Sequence, residues 1–381
     1  MLAAEILDHF RRRRDATLAE LVELVAIETP SGDAAAVARF VARCRPALEA
    51  AGMRVESHDG PNGPAVFAER AGEDPAIVLV AHSDTVWPLG TVVRRPPEVR
   101  DGRLFGPGVF DMKGGLELIL AVVRFLAEER VALRRRLQVF VSSDEEIGSV
   151  SSHRLMDRLL SPASTAIVPE PPCPDGALKI RRKGVGIYRV RVTGREAHAG
   201  VEPERGISAV DEIARLVLEV HGWSDRERGV SLNVGAISGG TASNVVAGAA
   251  RADLDLRFDD TADGADFDAR IRALRPAHPE ARLEVEGGII FPPLVPTAKS
   301  RELAELTSSL ARELGLEVGI GSSGGGSDGS YLASRGLAVI DGVGIDGAGA
   351  HAVDEHIVVD RIAPRAALLA SLVLALDELS G

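Results

Sequence analysis

Ala76-Ile-Val-Leu-Val-Ala-His82-Ser-Asp84-Thr-Val86 is an apolar run that leads straight into His-x-Asp and stops there. A short run so rich in Val, Leu and Ile predicts a strand buried on both faces. Such a strand ends at the rim of a sheet, where open α/β folds bind ligands. An imidazole at that rim with a carboxylate two residues on suits a metal, because Asp84 can accept the second ring N–H of His82 and fix its tautomer. A half-buried, hydrogen-bonded histidine at a strand end is the plain alternative, and the surrounding chain has to decide between them.

Outward from this strand, helix and strand patterns alternate. Helical spacing is predicted over 18–27, 34–51, 115–129 and 151–160, and strands over 54–57, 65–69, 137–141 and 165–168. Alternation of this kind predicts a doubly wound α/β sheet with helices on both faces. Near Lys183-Gly184-Val-Gly186 the pattern changes. Ile187-Tyr-Arg-Val-Arg-Val-Thr193 alternates apolar and charged residues, as a half-exposed antiparallel strand does. A helix, two strands, a helix and a strand follow, so the order βαββαβ predicts a small inserted ferredoxin-like domain with one open sheet face. Pro292-Pro293 and Pro296 mark the return. From Arg301 the α/β pattern resumes, with a helix to Leu314, a strand over 317–320, a helix over 330–335, a strand over 337–340 and a closing helix over 361–379. The expected organisation is one domain in two parts, 1–185 and 291–381, interrupted by a second domain at 186–290.

A chain of 381 residues with 45% hydrophobic and 26% charged residues is long enough for two domains and a sizeable core. Its formal net charge of −12 argues against nucleic acid or an anionic membrane as the main partner. Two cysteines, Cys44 and Cys173, allow no disulfide framework or Cys-x-x-Cys site and read as buried small hydrophobes. Any metal must therefore be held by histidine and carboxylate. In the first residues, Arg11–Arg14 follow the apolar positions instead of preceding them, which describes an amphipathic helix and no secretory signal. No stretch approaches ~18 uninterrupted apolar residues. The expectation is a cytoplasmic protein.

Candidate chemistry gathers at strand ends. Asp111 lies in the turn-rich Gly106-Pro-Gly-Val-Phe-Asp111-Met-Lys-Gly-Gly115, where an N-cap is the plain role. The strand over 137–141 runs into Asp144-Glu145-Glu146, three carboxylates that repel one another unless solvent or a cation compensates them. Glu170 follows another strand, and His351 ends Gly347-Ala-Gly349-Ala-His351. Two histidines and several carboxylates fit a pair of metals better than one. A paired site needs a carboxylate between the ions and terminal ligands on each side, and one further carboxylate left over as general base.

These residues resemble a known family. His82-Ser-Asp84-Thr-Val, Gly106-Pro-Gly-Val-Phe-Asp111-Met-Lys-Gly-Gly115, Asp144-Glu145-Glu146-Ile-Gly-Ser149 and His198-Ala-Gly200 look like the co-catalytic zinc hydrolases related to carboxypeptidase G, aminoacylase, acetylornithine deacetylase and succinyl-diaminopimelate desuccinylase. The resemblance spans nearly the whole chain in the right order. It implies a zinc-exopeptidase-like mixed sheet with a lid that also dimerises, and two zinc ions, with cobalt or manganese as possible substitutes. By the resemblance, His82 and Glu170 serve one metal and Glu146 and His351 the other. Asp111 bridges them, Asp84 orients His82, and Glu145 is the general base. A cis peptide after Asp111 is also implied.

In the inserted domain, His198 resembles a histidine that reaches a partner subunit's site and stabilises the oxyanion, while a plain interface histidine is the alternative. Asn244 and Arg257 match contacts to the substrate carboxylate, although Arg257 is equally an ion-pair partner. The loop Ser322-Ser-Gly324-Gly325-Gly-Ser-Asp328 lacks Gly-Lys-Ser/Thr and is no phosphate loop. The resemblance puts it, Gly325 included, beside substrate. Asp144-Glu-Glu-Ile-Gly-Ser149 and the Gly-rich loop look most like the glutamate carboxypeptidase branch, which removes C-terminal glutamate, and the lead expectation is a zinc carboxypeptidase that releases a C-terminal amino acid. An N-acyl-amino-acid deacylase or desuccinylase is the near alternative, and an inactive binding protein on the same fold the distant one. The expected partners are a small peptide or N-acyl amino acid and a second copy of the chain.

Overall fold

A computed structural model describes residues 2–160 and 162–379. The chain forms two compact units, Met1–Arg181 with Pro296–Ser323 and Ser327–Gly381, and Arg182–Val295 with Gly324–Gly326.

The first unit is built on a mixed eight-stranded sheet. Its strands lie in the order Arg54–His58, Ala65–Arg70, Arg135–Ser142, Glu73–His82, Ala163–Val168, Ala338–Asp341, Leu178–Arg182 and Ile320–Ser323. The apolar run occupies an interior strand, Glu73–His82, paired in parallel with Arg135–Ser142 on one side and Ala163–Val168 on the other. Ile77, Val78, Leu79 and Val80 are each 0% exposed. A strand covered on both faces has no solvent side to make polar, and so the run is unbroken. The parallel registers also set the rim: His82 lies level with Ser142, and Leu79 with Ile167. All three strands therefore deliver their following residues to the same edge.

Helices Ala3–Val25, Ala34–Ala50, Gly114–Glu128 and Ile362–Glu378 share one apolar core with this sheet. Gly114–Glu128 is buried on nearly every side, including Leu116, Leu118, Ile119, Leu120 and Val122. The N-terminal signals at Met1–Arg14 and 18–27 belong to one helix, Ala3–Val25, since nothing between them breaks it. Two expectations shift. The strand expected at 317–320 is Ile320–Ser323, an edge strand whose place is set by sheet pairing and not by local propensity. Cys44 is buried as expected, but Cys173 is half-buried. A small sheet of Gly347–Ala348, His356–Val358, Arg103–Phe105 and Glu98–Arg100 had no apolar alternation to reveal it.

The second unit has the order strand Gly184–Thr193, helix Ala209–His221, strands Ser231–Gly239 and Ala249–Phe258, helix Thr261–Arg272 and strand Arg282–Phe291. Its four strands are antiparallel throughout. Alternate residues Tyr188, Val190 and Val192 join Leu254, Leu256, Ile213 and Phe267 in a separate core. The opposite face carries Arg189 paired with Asp253 and Arg191 paired with Glu286. The second helix, Thr261–Arg272, starts where the Asp260 side chain caps it, accepting from Ala262 N at 2.7 Å. Among the described residues no helix is long and apolar enough to cross a membrane.

Candidate metal centre

The sheet rim and two turns bring His82, Asp84, Asp111, Glu145, Glu146, Glu170 and His351 together. His82 ends its strand with Nε2 3.2 Å from Asp111 Oδ1 and 3.4 Å from Glu170 Oε1. His351 Nε2 lies 3.2 Å from Glu146 Oε2 and 3.5 Å from Asp111 Oδ2. The Asp111 carboxylate thus stands between two His–Glu pairs and turns one oxygen to each. The peptide Asp111–Met112 is cis. Close packing fixes Glu170: a Cβ on Gly115 would fall 1.9 Å from the carbonyl oxygen of Pro169. Only glycine lets the Gly114–Glu128 helix come so near.

The role of Asp84 differs in detail from the expected one. His82 Nδ1 meets the Asp84 backbone carbonyl at 2.9 Å, while the carboxylate stands 3.6 Å away. That carboxylate instead accepts from Ser31 Oγ at 2.7 Å and from the N–H groups of Glu145 and Glu146 at 3.0 and 3.2 Å. It therefore anchors the backbone of the two glutamates, and the main chain orients the imidazole.

Five carboxylates and two imidazoles crowded at the rim perturb one another. Burial opposes charge on His82, yet Asp111 and Glu170 hold its pKa well above the ordinary imidazole value. Hydrogen bonds to Asp111 and Glu146 lift His351 to about 10. Burial pushes Asp111 up, but His351 and His82 outweigh it and take the carboxyl below its ordinary range. Burial raises Glu146 to about 7 despite His351. Burial, with Glu170, Asp328 and Glu146 adding repulsion, raises Glu145 well above a normal glutamate.

A cation relieves this crowding, and the donors fit one. One ligand atom each from His82, Asp111 and Glu146 lies within 4.8 Å of the others. Glu146 Oε1 is buried without a hydrogen-bond partner. Imidazole and carboxylate without thiolate suit zinc, cobalt or manganese.

The family model for peptidase family M20/M25/M40 matches residues 78–375. The chain belongs to that family. It is a metal-dependent amide hydrolase. Carboxypeptidase G2 of Pseudomonas sp. (strain RS-16) is 28% identical over 375 residues, 95% of this chain and 89% of that protein. A succinyl-diaminopimelate desuccinylase of Gluconacetobacter diazotrophicus is 30% identical over 315 residues, 77% of this chain and 79% of the relative. Among solved structures, the YXEP protein of Bacillus subtilis, described as a dinuclear metal binding peptidase from the M20 family, superposes with a TM-score of 0.70 at 15% identity. The match covers 97% of this chain and 99% of that one.

The other four candidate residues of this M20 chain sit in its second unit. His198 is exposed, and its Nδ1 accepts from Gly200 N at 3.1 Å. The carbonyl of Asn244 accepts from Ala199 N at 2.9 Å, so these two segments adjoin. Arg257 grips Asp255 through Nε and Nη2, each at 2.7 Å, and sends Nη1 to the Gly324 carbonyl at 3.2 Å. The Gly325 carbonyl accepts from Arg182.

Several residues that shape the centre escaped the sequence. Asp328 is buried and accepts from Ser142 Oγ at 2.5 Å, from Ser149 Oγ, and from His153 Nε2 at 3.2 Å. It clamps both ends of the loop that bears Glu145 and Glu146. Lys113 is also buried, donating to the Ile27 carbonyl at 2.6 Å beneath the Asp111 turn. No local pattern separates these charges from ordinary surface ones.

Proposed function

We propose that this chain is a dinuclear zinc carboxypeptidase that cleaves the amide bond to a C-terminal amino acid. The observation that carries the reading is Asp111, with one carboxylate oxygen toward the His82–Glu170 pair and the other toward the His351–Glu146 pair. In this scheme His82 and Glu170 would hold one zinc, Glu146 and His351 the other, and Asp111 would serve both. Zinc bound there would supply Lewis-acid polarisation of the scissile carbonyl and a more acidic water. Glu145, left over from the ligand set, takes the proton from the attacking water and gives it to the leaving nitrogen. Asp84 keeps Glu145 and Glu146 in place through their N–H groups. His198 of one copy donates to the oxyanion developing at the other copy's site, and Asn244 and Arg257 receive the substrate carboxylate, with Asp255 already holding two of the three Arg257 nitrogens. The Gly325 backbone lines the same pocket. The protein is proposed to work as a cytoplasmic homodimer joined through the second unit.

The carboxypeptidase assignment draws on similarity to carboxypeptidase G2 along 95% of the chain. The 30% identity to a desuccinylase favours a second reading, release of a small acyl group from an N-acyl amino acid. Elemental analysis of metal content, with a hydrolysis screen of C-terminally varied dipeptides and benzoyl-glutamates beside N-acetyl and N-succinyl amino acids, separates them. Two metals per chain with release of C-terminal amino acids is the expected result. Activity on acetyl or succinyl groups alone selects the second reading, and a metal-free, inert protein refutes both.

A further inference from the structure

The turn that carries Asp111 has an anchor outside the ligand set. Glu355 is 0% exposed. Its Oε2 accepts from Gly108 N and Trp87 Nε1, both at 2.8 Å, and its Oε1 from Phe110 N at 3.0 Å and Asp111 N at 3.1 Å. All four donors are neutral. Gly108 has φ +72°, which turns the N–H groups of this segment inward into a concave anion site. A Cβ there would meet Thr85 Cγ2 at 2.5 Å. The carboxylate of Glu355 fills that site from within the protein.

The turn needs such support. Asp111 (φ −117°, ψ 97°) and Met112 (φ −128°, ψ 35°) leave the helical region, so no regular helix ladder fixes them. At its other end Glu355 joins the turn bearing His351: Glu355 N donates to Ala352 O at 3.1 Å, and Ala352 N to Gly349 O at 2.8 Å. Glu355 also returns a backbone link to the first turn, its carbonyl accepting from Gly106 N at 3.2 Å. One buried side chain thereby connects the residue between the two His–Glu pairs to the segment that supplies one of the histidines.

We propose that Glu355 is a positioning residue for the metal pair, holding the Asp111 backbone so that each carboxylate oxygen faces its own histidine. The inference rests on the dinuclear reading above. Glutamine is the informative replacement because it keeps the volume but cannot accept on both sides. Its NH2 must face either Gly108 and Trp87 or Phe110 and Asp111, leaving two buried N–H donors unpaired.

The test measures Zn²⁺ affinity of chelator-stripped wild type and Glu355→Gln by competition with a chromophoric chelator, beside the near-UV spectrum and Tm of each metal-free protein. Wild type should take up two zinc ions. Glu355→Gln should keep the native near-UV spectrum and lose about 10- to 100-fold in affinity at both sites, as is usual when support of a metal ligand is removed. A variant with lowered metal-free Tm but unchanged zinc affinity shows a merely structural role and overturns the proposal, as does one indistinguishable from wild type. Should Glu355→Gln fail to fold, Trp87→Phe removes a single donor. A several-fold weaker zinc affinity at unchanged metal-free Tm then supports the proposal, and wild-type affinity overturns it. Wild type without zinc uptake refutes the dinuclear reading and this inference with it, whereas two tightly held ions in both proteins refute the role of Glu355 alone.

Discussion

Glu145→Gln separates chemistry from metal binding. Glu145 is 9% exposed, and among the described residues neither His82 nor His351 lies within ion-pair distance of it. Glutamine has the same shape and removes only the acid–base function. Loss of a positioned general base costs about 10²- to 10⁴-fold in turnover, or about 3–5 kcal/mol in barrier, so kcat should fall by that range with metal content unchanged. A second consequence runs the other way. Burial and the charges of Glu170, Asp328 and Glu146 raise the Glu145 pKa in the metal-free protein. An acid with a raised folded-state pKa gives full stability below its unfolded pKa and loses it as pH rises through the folded value. Glutamine has no proton to lose. Metal-free Glu145→Gln should therefore melt above metal-free wild type at pH 8, with the gap closing toward pH 4. Single-turnover kinetics, elemental analysis and calorimetry at both pH values test this. Turnover within about tenfold of wild type would refute the base assignment. Loss of metal would show that Glu145 is a ligand and Glu146 the base.

Other outcomes follow from the same geometry. In the metal-free protein Glu146 is raised to about 7 and His351 to about 10. Glu146 loses stabilisation between its unfolded value and about 7, and His351 between its unfolded value and about 10, so both contributions to stability fall with rising pH. Protons held by these two groups compete with zinc, and fewer remain as pH rises, so the Tm gain on adding zinc should grow from pH 5 to pH 9 in calorimetry. Asp328→Ala removes the buried carboxylate that Ser142, Ser149 and His153 share. It should cost about 3 kcal/mol or more in urea unfolding and lower turnover with it. Gly115→Ala drives a methyl group into the Pro169 carbonyl. An overpacking cost of about 1–3 kcal/mol and weaker zinc binding are expected, because the segment bearing Glu170 has to move; unchanged zinc affinity would place Glu170 outside the ligand set.

Much of this protein is legible without coordinates. Unbroken apolar runs such as Ile77–Ala81 identify interior parallel strands, because burial on both faces removes any reason for alternation. Ile187–Thr193 alternates because one face of its sheet is charged. Turn chemistry around Gly106–Gly115 and the glutamate pair after a strand point to the rim where ligands gather. Ligand types follow from composition: with two distant cysteines, only imidazole and carboxylate are available. What local sequence cannot supply is register and partner choice. His82, Asp111, Glu146, Glu170 and His351 are distant along the chain, and parallel pairing with two sharp turns makes them neighbours. Only the fold decided that the Asp84 carboxylate would serve the Glu145 and Glu146 backbone while its carbonyl meets His82. Only the fold withdrew Glu355 and Asp328 from solvent. A carboxylate reads the same in sequence whether water or four buried N–H groups surround it, and the enclosing structure makes that distinction.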